Sequence, residues 1–177
     1  SRYLTRSAAE LEFVIGAQGK PRFEHGTEEP DIRFNLSHSE EWAAVAVALG
    51  REVGVDIERA HPRVDVVRVA RRSFTPQESA AVERASPAGR RELFLRLWTV
   101  KEALLKGMGS GLTMPMHRFQ VLLPPQPTGE PITIRDLAFG RPCDWKAREL
   151  TMPSGLMGAI AAQGSDWTVH RFDWRPL

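Results

Sequence analysis

Apolar positions in this chain come in short blocks, and their spacing changes twice. Up to residue 58 the blocks are bounded by turn residues, between 64 and 106 they recur at helical spacing, and beyond 119 they shorten again. Residues 11–15 predict a strand closed by Gly16 and Gly19. A loop through Pro21, Gly26 and Pro30 leads to a second strand over 32–36. Residues 42–49 are dense in valine and alanine; their period fits a strand or a buried helix turn, and the short length with flanking turns favours the strand. A tight turn at Gly50-Arg51-Glu52 then leads into a β segment over 53–58.

Helical signals follow. Residues 64–72 set Val66, Val67 and Val69 on one side and Arg68, Arg71 and Arg72 on the other. Thr75-Pro76-Gln77-Glu78 marks a helix start, with Thr as N-cap, Pro in the first position and Glu three residues after the Thr. A longer helix is predicted over 88–106, with an apolar stripe at Leu93, Leu97, Val100 and Leu104 and a stop at Gly107 and Gly109. Residues 119–123 predict a strand and the proline-rich 124–131 a loop. Residues 145–151, 156–163 and 167–174 predict three more strands. Strands, then helices, then strands make an α+β fold.

Composition narrows the class. With 177 residues, 42% hydrophobic and 26% charged, the chain can bury a full core. One cysteine, Cys143, excludes an internal disulfide framework and a cysteine-built zinc site. It fits a reducing compartment, and with no signal-like start and no apolar run long enough to span a bilayer the expected location is the cytoplasm. A formal charge of +2 gives no reason to expect nucleic acid as a partner.

The candidate chemistry lies in three places. Asp56 and Glu58 stand two apart on a predicted strand, so both carboxylates share one face. Like charges that close repel unless a cation lies between them, although a solvated strand end would also accommodate them. Glu102 and Lys106 are i and i+4 on the long helix, an arrangement that serves a site or a stabilising pair worth about 0.3–0.5 kcal/mol. Trp98 lies one turn before Glu102 on the same side, and Lys101 lies about 100° round the helix, at the rim of the same site. Arg33-Phe34-Asn35-Leu36-Ser37-His38-Ser39 ends a strand in polar residues, where Ser37 and His38 offer donors to an anion or simply form a turn. Together these are an oxygen-rich seat for a hard cation beside donors for phosphate. There is no phosphate-binding glycine loop, no nucleophile elbow and no zinc spacing among His25, His38, His61, His117 and His170.

Taken in order, Phe34-Asn35-Leu36-Ser37-His38-Ser39, Gly54-Val55-Asp56-Ile57-Glu58, Phe74-Thr75-Pro76-Gln77-Glu78, Trp98-Thr99-Val100-Lys101-Glu102-Ala103 with Lys106, and Gly109-Ser110-Gly111-Leu112 resemble the 4′-phosphopantetheinyl transferases. The match is closest to the surfactin-synthetase-activating class, which Gly19-Lys20-Pro21 also resembles. The resemblance spans about residues 20–112 and implies an enzyme that moves the phosphopantetheine arm of coenzyme A onto a serine of an apo acyl or peptidyl carrier, releasing adenosine 3′,5′-bisphosphate. It implies Asp56, Glu58 and Glu102 as Mg²⁺ ligands, Glu102 also as base for the carrier serine, and Lys106 and Lys101 near the phosphates. Ser37 and His38 would lie near the 3′-phosphate and Lys20 near the adenine.

The class also implies two pseudo-symmetric halves, each with a small antiparallel sheet and a long helix, working as a monomer away from membranes. Here they would be residues 1–52, shorter than in the class, and residues 53–177, which carry most of the metal site. Arg68, Arg71 and Arg72 could steer an acidic carrier or form a solvated helix face, and Leu112, Met114 and Met116 could line a carrier contact or pack in the core. Two rivals share the same acids: a Mg²⁺-dependent phosphodiesterase, and a catalytically incomplete carrier-docking or nucleotide-binding module.

Overall fold

A computed structural model describes residues 7–16, 18–24, 29–61 and 63–173. Two small hairpins come first: β1 (Phe13–Ile15) with β2 (Pro21–Phe23), and β3 (Ile32–Ser39) with β4 (Trp42–Leu49). β5 (Val53–Arg59) opens the main body. Three helices follow, α1 (Val66–Ser73), α2 (Pro76–Arg84) and α3 (Pro87–Met108). Strands β6 (Phe119–Leu122), β7 (Ile132–Asp136), β8 (Arg141–Glu149) and β9 (Leu156–Gln163) close the chain. The main sheet is antiparallel in the order β5-β9-β8-β7-β6, with β5 on an edge.

The pleat of β5 assigns its residues to two layers. Val53 and Val55 pack with Ala46 and Ala162 in a small core shared with the β3–β4 hairpin. Gly54 faces α3, whose Phe94, Leu97, Val100 and Leu104 belong to the large core with Ala159 and Ala161 of β9. A Cβ on Gly54 would overlap the Ala103 carbonyl oxygen and the Gly107 backbone, whose Cα would be 2.8 Å away. A Cβ on Gly107 would lie 2.5 Å from the Trp145 ring. Glycine at both positions lets helix and strand meet backbone to backbone.

The helix ends follow local chemistry. The Thr75 side chain accepts the Glu78 N–H and Glu78 accepts the Thr75 N–H, the reciprocal cap that the sequence predicts. Gly109, at φ 64°, ends α3 in the left-handed region. Asp65 caps α1, which starts two residues later than position 64.

Several expectations are corrected. Residues 37–39 continue β3 instead of turning, and residues 21–23 and 132–136 are strands within stretches read as loop or left unassigned. The predicted strand over 167–173 is irregular: Trp167 anchors it by donating to the Gly164 carbonyl at 3.0 Å, and it pairs with no strand among the described residues. Trp174, which closed that prediction, and His25 lie outside the described residues.

β4 inverts the usual burial. Its small residues Ala44, Ala46 and Ala48 face the inner core, while Val45, Val47 and Leu49 are exposed on the outer face beside Leu36 of β3. Rings of Phe13, Phe23 and Phe34 join the two hairpins. Ahead of β5, the described residues hold only strands and one 3₁₀ turn over Ala8–Glu10. No helix among the described residues is long and apolar enough to cross a membrane.

Gly54→Ala should destabilise the protein by about 3 kcal/mol or more, because backbone has to move to admit the methyl. Gly89→Ala, with its new Cβ 3.4 Å from Ser86 Oγ in ordinary contact, should stabilise it by about 0.4–1 kcal/mol. Urea midpoints of the two variants test the contrast, and equal effects would refute the close-approach account.

Candidate active site

Ala103 and Gly107 form the stripe of α3 that rests on β5, and Glu102 and Lys106 form the adjacent stripe. Lys106 therefore reaches over the strand edge and donates to Asp56 Oδ1 at 2.6 Å and Ser37 Oγ at 3.0 Å. Asp56 is 2% exposed, yet its Oδ2 is buried without a hydrogen-bond partner. Glu58 lies further along the same face, half-buried, with Ser39 Oγ donating to it at 3.4 Å.

The β3 hairpin meets β5 through side chains instead of a backbone ladder. Asn35 Oδ1 accepts the Val55 N–H at 2.9 Å, Ser37 Oγ accepts the Ile57 N–H at 3.2 Å, and Ser39 Oγ accepts the Arg59 N–H at 3.0 Å. Every second β3 side chain thus satisfies an outward N–H of an edge strand. Ser37 also donates to Asp56 Oδ1 at 3.0 Å. The polar run in the sequence is this comb; Asn35 and Ser39 brace β5 beside the acids, a role that their i, i+2 alternation with Ser37 on a strand could have revealed.

The three carboxylates feel one another. Burial pushes the Asp56 carboxyl above the usual range, against the pull of the Lys106 ammonium and the Ser37 hydroxyl. Burial also raises Glu58, and Asp56 raises it further, with Ser39, Lys106 and His38 opposing. Burial raises Glu102, Asp56 and Glu58 add to the rise, and Lys106 opposes it. One ammonium leaves the cluster short of positive charge.

The two other expected lysines turn away from the acids, while Ser37 and His38 stay beside them. Lys101 is 1% exposed and points to the other flank of α3, where it pairs with Glu78 at 2.8 Å and donates to the Met116 and Phe119 carbonyls. It does not reach the rim beside Glu102, because the 100° step between neighbours turns it into the core. Lys20 is 8% exposed and donates to Glu52 at 2.6 Å, the Gly107 carbonyl at 2.7 Å and the Val53 carbonyl at 3.1 Å. It closes the C-terminus of α3 onto β5 and has no donor turned outward for an adenine. Ser37 is 4% exposed, with its hydroxyl committed to Asp56, Lys106 and Ile57. His38 is exposed and within electrostatic reach of Glu58. Trp98 stacks on Phe94 near Phe74, and Met114 and Met116 pack against the large core. Arg71 pairs with Glu83.

Among the described residues no group of three His, Cys, Asp or Glu side chains is arranged to enclose a metal ion unaided. Mg²⁺ asks for less, one or two carboxylates with phosphate oxygens and water completing the octahedron. The unpartnered Asp56 Oδ2 and the mutual repulsion of three acids fit such an ion.

Residues 52–163 match the model of the 4′-phosphopantetheinyl transferase superfamily, and the chain belongs to that family. The 4′-phosphopantetheinyl transferase HetI of Nostoc sp. is 30% identical over 165 residues, covering 93% of this chain and 66% of its own length. A 4′-phosphopantetheinyl transferase of Bacillus subtilis is 34% identical over 115 residues, covering 65% of this chain and 49% of its own. The crystal structure of Thermotoga maritima holo-[acyl-carrier-protein] synthase aligns with a TM-score of 0.46 and 19% identity, over 64% of this chain and 63% of that one. The chain thus spans about half to two-thirds of the length of these curated relatives.

The pH response has a definite sign. A carboxyl whose pKa is higher folded than unfolded gives the folded state the extra proton, so stability falls as pH rises from about 4.3 through the raised value. With metal chelated, Glu102→Gln should be more stable than wild type at pH 7.5 by about 0.5–1 kcal/mol, a figure reduced for solvent screening. The gain should vanish near pH 4. Urea unfolding at both pH values decides it, and a gain unchanged between them would remove the repulsion argument.

Proposed function

We propose that the protein transfers the 4′-phosphopantetheine arm of coenzyme A to a serine of an apo acyl or peptidyl carrier protein. The observation that carries this reading is the buried, unpartnered Asp56 Oδ2 at the α3–β5 crossing, flanked by Glu58, Glu102 and Lys106.

Asp56, Glu58 and Glu102 would hold Mg²⁺ together with the pyrophosphate of coenzyme A. Bound there, the ion would neutralise the pyrophosphate and favour in-line attack. Glu102 takes the proton from the carrier serine as its Oγ bonds to the β-phosphorus. The bond from that phosphorus to the bridging oxygen breaks, and adenosine 3′,5′-bisphosphate leaves with the electron pair. Lys106 stabilises the charge that grows on the departing phosphate. Ser37 orients both Asp56 and Lys106 by hydrogen bonds, so it acts through them. Exposed His38 is read as a contact for the 3′-phosphate end of coenzyme A, where a ring N–H can donate to a phosphate oxygen.

The carrier partner is read from charge. Arg68 and Arg72 are exposed on α1, and a carrier acidic around its serine complements them. The reaction needs no nucleic acid and no membrane, and it belongs in the cytoplasm, where coenzyme A and reduced Cys143 are both at home.

Incubating the protein with coenzyme A, Mg²⁺ and an apo-carrier should add the arm to the carrier, visible by intact mass. Asp56→Ala and Glu102→Ala should each lower transfer by about 10³-fold or more while remaining folded. Hydrolysis of coenzyme A without transfer would replace this reading with a phosphodiesterase. His38→Ala should raise KM for coenzyme A by about tenfold with little change in kcat, the pattern of a lost contact made equally in ground and transition states.

A further inference from the structure

Where α3 crosses the sheet the contact is made by small residues: the sheet offers Gly54, Ala147, Ala159 and Ala161, and the helix answers with Ala103 and Gly107, within a core that also holds the larger Leu97, Leu104 and Trp145. Apolar contact is non-directional, and small side chains leave few ridges to index a helix by its grooves. Directional contacts therefore add to what sets the rotation of α3 about its own axis. Two sets of them are buried: Arg96 holds Glu149 and the Pro124 and Pro125 carbonyls, and Lys101, the neighbour of Glu102, is bonded on the flank away from the site. Lys101 Nζ donates to Glu78 at 2.8 Å, to the Met116 carbonyl at 3.0 Å and to the Phe119 carbonyl. Glu78 accepts the Thr75 N–H at 2.9 Å and the Val121 N–H at 2.7 Å. One buried pair thus ties the middle of α3 to the start of α2, the turn before β6, and β6 itself.

Resting on the reading of the site given above, we propose that Lys101, held by Glu78, is a positioning residue that fixes the roll of α3 and thereby sets Glu102 and Lys106 over Asp56. A buried ion pair is poor evidence for stability as such, since apolar residues of like volume often serve as well. Its placement is what argues for a second role. Glu102 is the next residue in the helix, and Lys106 already meets Asp56 Oδ1 at 2.6 Å with little slack. A roll of about 10° moves a carboxylate about 6 Å from the helix axis by about 1 Å. Misplacement on that scale is worth about 10²-fold in rate.

The test uses the full 177-residue chain with Lys101→Met, which removes the ammonium while leaving Glu78 its two backbone donors, and Lys101→Gln, which keeps a shorter donor. Circular dichroism melting reports folding, electron paramagnetic resonance reports Mn²⁺ affinity, and arm transfer to an apo-carrier reports kcat and KM. Folded Lys101→Met should bind Mn²⁺ at least fivefold more weakly and lose at least tenfold in kcat, with KM for coenzyme A within twofold. Lys101→Gln should fall between it and wild type, and it carries the test should Lys101→Met fail to fold. A folded variant with wild-type Mn²⁺ affinity and kcat overturns the proposal, as does unfolding of both variants, which would make the pair a requirement of the fold alone. If wild type itself neither binds Mn²⁺ nor transfers the arm, the reading of the site is what fails, and the role of Lys101 falls with it.

Discussion

The contact on which the rest of the structure depends is the backbone-to-backbone crossing of α3 and β5 at Gly54, Ala103 and Gly107. No side chain separates helix from strand there, so groups beside the crossing on each element are drawn within a few ångströms. Asp56 and Glu58 follow Gly54 on the same face of the strand, and Glu102 and Lys106 flank Ala103 and Gly107 on the helix. A larger residue at the crossing would hold the two charged sets apart. Lys20 reinforces the junction by bonding the last turn of α3 and the first residue of β5 at once.

That geometry assembles an electrostatic conflict. Three carboxylates share one ammonium: burial raises all of them, Asp56 raises Glu58 further, and both raise Glu102. The free protein bears this as lost stability, which a divalent cation with bound phosphate would relieve. Lys106 is placed for both conditions. Without a ligand it is the partner of Asp56 Oδ1, and on the proposed reading it would stand beside any phosphate drawn to the same acids. The strain is thus a property of the same atoms that would bind the ligand, as expected where stability is traded for a preorganised charge.

What the sequence made legible was whatever a single element decides. Gly-Val-Asp-Ile-Glu has a period of two, so its two faces could be separated on paper. Thr75 with Glu78 is a local cap, and α3 is long, apolar on one side and closed by glycine. What stayed hidden was decided by partners from elsewhere in the chain. Lys20 and Lys101 match family positions, yet their ammonium groups turn to Glu52 and Glu78, which no spacing rule could join to them. Ser37 offered a hydroxyl to an anion, and the anion proves to be Asp56. The alternation over 167–173 resembles a strand, but β9, the strand it follows and could most simply pair with, is already flanked by β5 and β8.

The comb of Asn35, Ser37 and Ser39 shows why residues that look like a turn were needed in a strand. A backbone ladder between β3 and β5 would fix the hairpin equally well, but it would leave no hydroxyl beside Asp56. Using side chains as acceptors spaces the two strands further apart and places a serine Oγ between them. Ser37 then does two things with one oxygen: it satisfies the Ile57 N–H and it orients the Asp56 carboxylate toward Lys106. Seating of the hairpin and alignment of the acid therefore become a single event. A hairpin that lifts from β5 takes the Ser37 hydroxyl from Asp56 and leaves it Lys106 alone, so part of the order of the site is inherited from the docking of a segment that contributes no carboxylate to it.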